Sequence, residues 1–123
     1  MTTEDLIYET VGGCFEVYNE LGPGLLESVY EKALIAELEL RGLCVESQVP
    51  VNIMYKGVAV GTELRLDIIV ENKLIVELKS VEALQPVHFK QLRTYMKLLE
   101  KPAGLLVNFD VGDFKHGYRV LRK

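Results

Sequence analysis

The chain has 123 residues, 49% hydrophobic and 26% charged, which suits one soluble domain and leaves little room for a second. Its formal net charge of −4 argues against a strong grip on nucleic acid by the surface as a whole, but excludes neither a local basic patch nor a carboxylate metal site. No apolar run approaches the ~20 residues of a membrane span. The acidic start Met1-Thr2-Thr3-Glu4-Asp5 lacks the basic opening of a signal peptide, so a cytoplasmic protein is expected. Cys14 and Cys44 have no metal spacing and read as buried thiols of a reducing compartment. His88 and His116 are too few and too scattered for a zinc site.

Residues 4–21 carry helical spacing, with Ile7, Val11, Cys14, Tyr18 and Leu21 on one stripe. Gly12-Gly13 inside it implies close packing against another element. Gly22 can cap this helix and Pro23 can open a second, which runs to about Arg41. Its stripe is Leu26, Val29, Ala33, Ala36 and Leu40, widened by Tyr30, Leu34 and Leu38, so a mostly buried helix is expected. From Val45 to Tyr55 the period becomes two. Val45, Val49, Val51, Ile53 and Tyr55 share one covered face, and Pro50 suggests an edge position. Lys56-Gly57 marks a hairpin turn. A second strand spans about 58–70 with a bulge or bend at Gly61, and a third spans Leu74 to Ser80. Helical spacing returns over 87–100, with Leu92, Tyr95, Met96 and Leu99 inward. The apolar run 104–109 reads as a strand buried on both faces, and Tyr118 to Leu121 as a last strand. The order α-α-β-β-β-α-β-β predicts an α/β domain over 1–123, a mixed sheet flanked by helices.

The second hairpin carries the chemistry. With Glu71-Asn72-Lys73 as a three-residue loop, Val70 faces Leu74, Ile68 faces Val76 and Asp67 stands opposite Glu77. Asp67, Glu77 and Lys79 then project from one side. A two-residue loop would slip the register and part the two carboxylates. Converging carboxylates repel unless a cation lies between them, and Mg2+ takes such a pair together with waters and phosphate oxygens. An ion there can polarise a phosphodiester and activate water, while Lys79 orients the water or stabilises developing charge. The plainer alternative is a solvated strand face. Against it, Leu74-Ile75-Val76-Glu77-Leu78-Lys79 is otherwise continuously apolar, and ionisable groups on a buried strand need a partner.

Asp67 followed by Glu77-Leu78-Lys79 resembles the D…(D/E)xK signature of the restriction-endonuclease-like, or PD-(D/E)xK, superfamily. Gly24-Leu25-Leu26-Glu27-Ser28-Val29-Tyr30 is similar to the motif that names its GxxExxY family. Arg65-Leu66-Asp67, Gln91 with Tyr95, and Gly104-Leu105-Leu106-Val107-Asn108-Phe109 follow in the order of that family, and the resemblance covers nearly the whole chain. It implies a restriction-endonuclease-like core. Asp67 and Glu77 would be metal ligands with the backbone carbonyl of Leu78, and Lys79 the catalytic lysine. Glu27 matches an extra acidic residue brought to the metal, for which the alternative is a carboxylate favoured by the helix dipole. Gln91 and Tyr95 resemble the QxxxY element of RecB-type nucleases, with helix packing as the alternative. Where many relatives carry a histidine in the first helix, this chain has Tyr18.

The expected function is therefore a Mg2+-dependent nuclease (Mn2+ able to substitute) acting on DNA or RNA. Lys90, Arg93 and Lys97 form a basic strip on the third helix. Lys115, Arg119, Arg122 and Lys123 make the C-terminus basic. Both are candidates for phosphate contacts. The alternative is a catalytically silent nucleic-acid-binding or assembly module of the same fold. A homodimer is compatible with a nuclease this small.

Overall fold

The computed structural model describes residues 1–123, apart from the side chains of Thr62 and Glu63. The elements are α1 (Thr3–Leu21), α2 (Glu27–Leu40), β1 (Val45–Tyr55), β2 (Val58–Val70), β3 (Leu74–Lys79), α3 (Pro86–Leu98), β4 (Ala103–Asn108) and β5 (Tyr118–Arg122), with a 3-10 turn at Phe114–His116. This is the expected order. The strands form one sheet in the order β1-β2-β3-β4-β5. Neighbours are antiparallel except β3 and β4. Those two are parallel because α3 connects them, and a parallel pair needs such a crossover. Among the described residues, no helix is long and apolar enough to cross a membrane.

The helices divide between the two faces. From α1 and α2, Cys14, Val17, Tyr30, Leu34 and Leu38 pack with Ile68, Val76, Leu78, Leu105 and Val107. On the opposite face, Leu92, Tyr95 and Met96 of α3 pack with Ile69, Ile75, Leu106 and Leu121. Strands β3 and β4 are covered on both sides, which accounts for their unbroken apolar runs. Gly12 and Gly13 lie where α1 meets α2. A Cβ on Gly13 would stand 2.9 Å from a Leu38 methyl, and one on Gly12 3.0 Å from the Arg41 guanidinium.

Several expectations need correction. The second helix starts at Glu27, not at Pro23. Gly22 and Gly24 adopt φ of 68° and 100°, a left-handed backbone through which no helix continues. The helix is also not mostly buried. Its fully buried residues are Tyr30, Leu34 and Leu38, with Ala33 and Ile35 partly buried beside them, and Leu26, Val29 and Leu40 face solvent. In α1 the buried stripe is Leu6, Ile7, Thr10, Cys14 and Val17, while Leu21 is exposed. Cys14 is buried, its thiol pushed up to about 12 by burial, but Cys44 is exposed.

The face of β1 also differs from its sequence pattern. Val45 packs on the α1–α2 side, whereas Val49, Val51 and Ile53 pack on the α3 side. The switch falls at Gln48, whose φ of 50° breaks the alternation. Across from it on β2, Ile68 and Leu66 likewise belong to opposite faces. The pairing steps from Ser47↔Ile68 to Val49↔Leu66, leaving Gln48 and Asp67 between. The turns follow expectation. Lys56-Gly57 closes the first hairpin with φ of 48° and 86°, and the register shifts next to Gly61. In the second, Val70 pairs with Leu74 and Ile68 with Val76, the register of the three-residue loop.

Candidate active site

The ladder between β2 and β3 runs from Val70↔Leu74 to Ile68↔Val76, and next along the strands come Asp67 and Glu77. Here side chains replace ladder bonds. The Leu78 N–H donates to Asp67 Oδ2 at 2.8 Å, and the Asp67 N–H approaches Glu77 Oε1 at 3.4 Å. Both carboxylates are therefore held by the main chain of the facing strand. Asp67 is half-buried and Glu77 is buried. Burial, and then the Asp67 charge, raise the Glu77 carboxyl to about 8. Lys79, two residues on, acts in the opposite sense on both Glu77 and Glu27, so its charge lies within electrostatic reach of both.

Glu27 reaches this site from the other side through a loop built by its neighbours. The Tyr30 hydroxyl donates to the Gly22 carbonyl and accepts the Leu25 N–H at 3.1 Å, while its ring stacks on Phe109 at 4.4 Å. The Ser80 hydroxyl donates to the Leu25 carbonyl at 2.9 Å, joining the loop to the end of β3. Gly24 supplies the positive φ that the loop needs. Glu27 is thus the first residue of α2, beside Lys79. Partial burial raises its carboxyl, Lys79 opposes that, and Asp67 adds to it.

One acidic neighbour escaped the sequence reading. Glu31, one turn after Glu27, accepts a bond from Gln48 Nε2 at 2.8 Å. Its carboxyl is raised by burial and then, against the Gln48 bond, by the charges of Asp67 and Glu27. The available signal was its i+4 spacing from Glu27, which puts both on one helix face.

Helix α3 closes the site on its own face. Tyr95 is buried, and its hydroxyl is raised by burial and by the charges of Glu77 and Asp67, with Gln91 acting in opposition. Tyr95 therefore lies within reach of the two carboxylate charges, with Gln91 next to its hydroxyl. His88 has a capping role: its Nδ1 accepts the Gln85 N–H at 2.9 Å. Lys90 and Arg93 are exposed, and Arg93 lines a cavity elsewhere along α3. Tyr18 is also occupied structurally, its hydroxyl donating to the Val111 carbonyl.

The donors present suit a hard divalent cation. Asp67, Glu77 and the Leu78 carbonyl offer only oxygen, and a buried carboxyl held up to about 8 beside a second carboxylate is a site short of positive charge. Among the described residues, no three His, Cys, Asp or Glu side chains stand close enough to hold an ion. Glu27 thus does not complete a protein-only cage, and waters or phosphate oxygens would fill the remaining positions. A family model described as the PD-(D/E)XK nuclease superfamily matches residues 4–121, and nucleases of that superfamily generally use divalent metals. No curated protein and no solved structure matches the chain.

Proposed function

This chain belongs to the PD-(D/E)XK nuclease superfamily, and from that premise we propose that it is a nuclease of the GxxExxY kind, using Mg2+ or Mn2+ to hydrolyse phosphodiester bonds in DNA or RNA. The observation that carries the proposal is the meeting of Asp67 with a buried Glu77 at the point where the β2–β3 ladder gives way, with Lys79 beside them.

In this reading Asp67, Glu77 and the Leu78 carbonyl hold the cation. When bound, it supplies Lewis acidity toward the scissile phosphate and a bound water of lowered pKa. Lys79 orients the attacking water and stabilises charge on the phosphoryl oxygens. Glu27, fixed at the head of α2 by Tyr30 and Ser80, would bring a further carboxylate toward the cation. Gln91 and Tyr95 contact the sugar-phosphate chain next to the scissile bond. The GxxExxY assignment is supported by the distinct work of its three residues. Gly24 permits the loop, Glu27 faces Lys79, and Tyr30 closes the loop by its hydroxyl.

The test is a calorimetric titration of Mg2+ and Mn2+ into wild type and Asp67→Ala, beside cleavage assays on single- and double-stranded DNA and RNA. Metal binding and metal-dependent cleavage in wild type, both lost in the variant, are expected. A wild type that binds nucleic acid but neither metal, and cleaves nothing, would leave a binding module in place of the nuclease.

A further inference from the structure

A cavity of about 520 Å3 lies away from the carboxylates, between the C-terminal half of α3 and the end of β5. Two basic segments far apart in sequence meet there. Arg93 and Lys97 come from α3, and Arg122 and Lys123 from the end of the chain, with Lys101 between them. Glu100 is the one acidic residue of the lining. Arg122 is engaged by Glu4, with bonds of 2.9 and 2.7 Å. Lys101 donates to the neutral Asn72 amide oxygen at 2.9 Å and keeps its charge. Arg93, Lys97 and Lys123 have no ion-pair partner among the described residues. Five cationic side chains therefore face two acidic side chains, in a chain whose net charge is −4.

We propose that this cavity is a phosphate-backbone anchor, a second contact that grips the nucleic acid at a distance from the bond being cut. The proposal deepens the nuclease reading and rests on it for the identity of the polyanion. Concentrated positive charge on an otherwise acidic surface focuses the field where a polyanion can dock. Arg93 and Lys97 are exposed, so their charges are available, and Lys101 is held in place by the β2–β3 turn. Helix α3 connects anchor and carboxylates directly. Tyr95 lies within reach of the carboxylate charges, and Lys97 follows it two residues on along the same helix. The anchor reads charge and spacing rather than base sequence.

The experiment measures binding of a fluorescent 20-nucleotide DNA and its RNA counterpart in EDTA, across a salt series, for wild type, Arg93→Glu/Lys97→Glu and the milder Arg93→Gln/Lys97→Gln. A Lys32→Glu/Lys56→Glu variant makes the same change in net charge elsewhere, at two exposed positions outside the cavity. Hydrolysis of bis-(p-nitrophenyl) phosphate in Mn2+ is followed in parallel, because that small diester needs the carboxylate site alone. Expected are at least tenfold weaker oligonucleotide binding in the Glu pair and a smaller loss in the Gln pair. The slope of log K against log salt should be shallower by about one to two in the Glu pair. Binding by the Lys32/Lys56 control, and small-diester hydrolysis throughout, should stay at wild-type levels. Unchanged affinity and salt slope in the Glu pair would overturn the anchor even with hydrolysis intact. So would a wild type that binds poly-glutamate as tightly as the oligonucleotide, which would assign the cavity to an acidic polypeptide. Absence of small-diester hydrolysis in wild type, with the binding differences present, would instead count against the nuclease reading and leave the anchor standing.

Discussion

Asp67 accepts the backbone N–H of Leu78 at 2.8 Å, so one carboxylate oxygen is committed to holding β2 against β3 while the charge faces Glu77. The two roles separate by mutation. Asp67→Asn keeps an oxygen for the Leu78 N–H and removes the charge; Asp67→Ala removes both. Both variants should lose metal binding. Only Asp67→Ala should also lose about 1–2 kcal/mol of stability, from the unsatisfied N–H. Urea unfolding of the two in EDTA checks this, and equal losses would mean that the bond contributes nothing.

Glu77 makes the metal-free protein sensitive to pH. Unfolded, its carboxyl titrates near the ordinary 4.5; folded, it is raised to about 8. Below 4.5 both states hold the proton and there is no penalty. Between 4.5 and 8 the folded state keeps a proton that the unfolded state releases, so stability falls as pH rises, and above about 8 the whole penalty is present. The magnitude is on the order of a few kcal/mol. In EDTA, the urea midpoint of wild type should fall between pH 5 and pH 8.5, while that of Glu77→Gln stays nearly flat. Excess Mg2+ should flatten the wild-type curve as well. Parallel curves for wild type and Glu77→Gln in EDTA would show that Glu77 is not the source.

Tyr30→Phe removes one oxygen and leaves the ring on Phe109. The Leu25 N–H and Gly22 carbonyl lose their partner, at a cost of about 1–2 kcal/mol. Because the same loop delivers Glu27, cleavage should fall by roughly tenfold beyond any loss of folded protein. Metal affinity at Asp67 and Glu77 should change little. Cleavage at the wild-type rate would separate the loop from function.

Gly117→Ala tests the far end of the sheet. An added Cβ would lie 2.7 Å from the Asn108 carbonyl oxygen and 3.0 Å from the Phe114 ring. The Gly117 carbonyl already accepts the Asn108 N–H at 2.6 Å, so the backbone has little freedom to withdraw. A loss of about 1–3 kcal/mol is expected, seen as a lower thermal midpoint with cleavage per folded molecule unchanged. An unchanged midpoint would mean that the strand shifts without cost.

Much of this arrangement was legible in sequence because single elements carried it. The hairpin that brings Asp67 to Glu77 was legible as one of two registers, and the three-residue loop of the structure decides between them. Gly12-Gly13 announced a close helix contact. What stayed hidden depends on tertiary context. Nothing local marks Gln48 as the residue where the first hairpin changes face, since a positive φ at glutamine is set by its surroundings. Glu31 reads as a solvated helix position until Gln48 and Asp67 are brought beside it. The exposure of Leu26, Val29 and Leu40 depends on where the sheet ends, which periodicity does not report.

Beyond Asp67, the outer part of β2 pairs with β1 alone, while Ile68 to Val70 also pair with β3. A two-stranded ribbon holds its amides less firmly than a central sheet. The backbone hydrogens from about Val49 to Leu66 should therefore exchange with solvent through local opening, and those of β3 and β4 only with global unfolding. Asp67 lies on the seam between these two cooperative units. Local opening of that arm would draw Asp67 away from Glu77 and Lys79, which sit on the central strand β3.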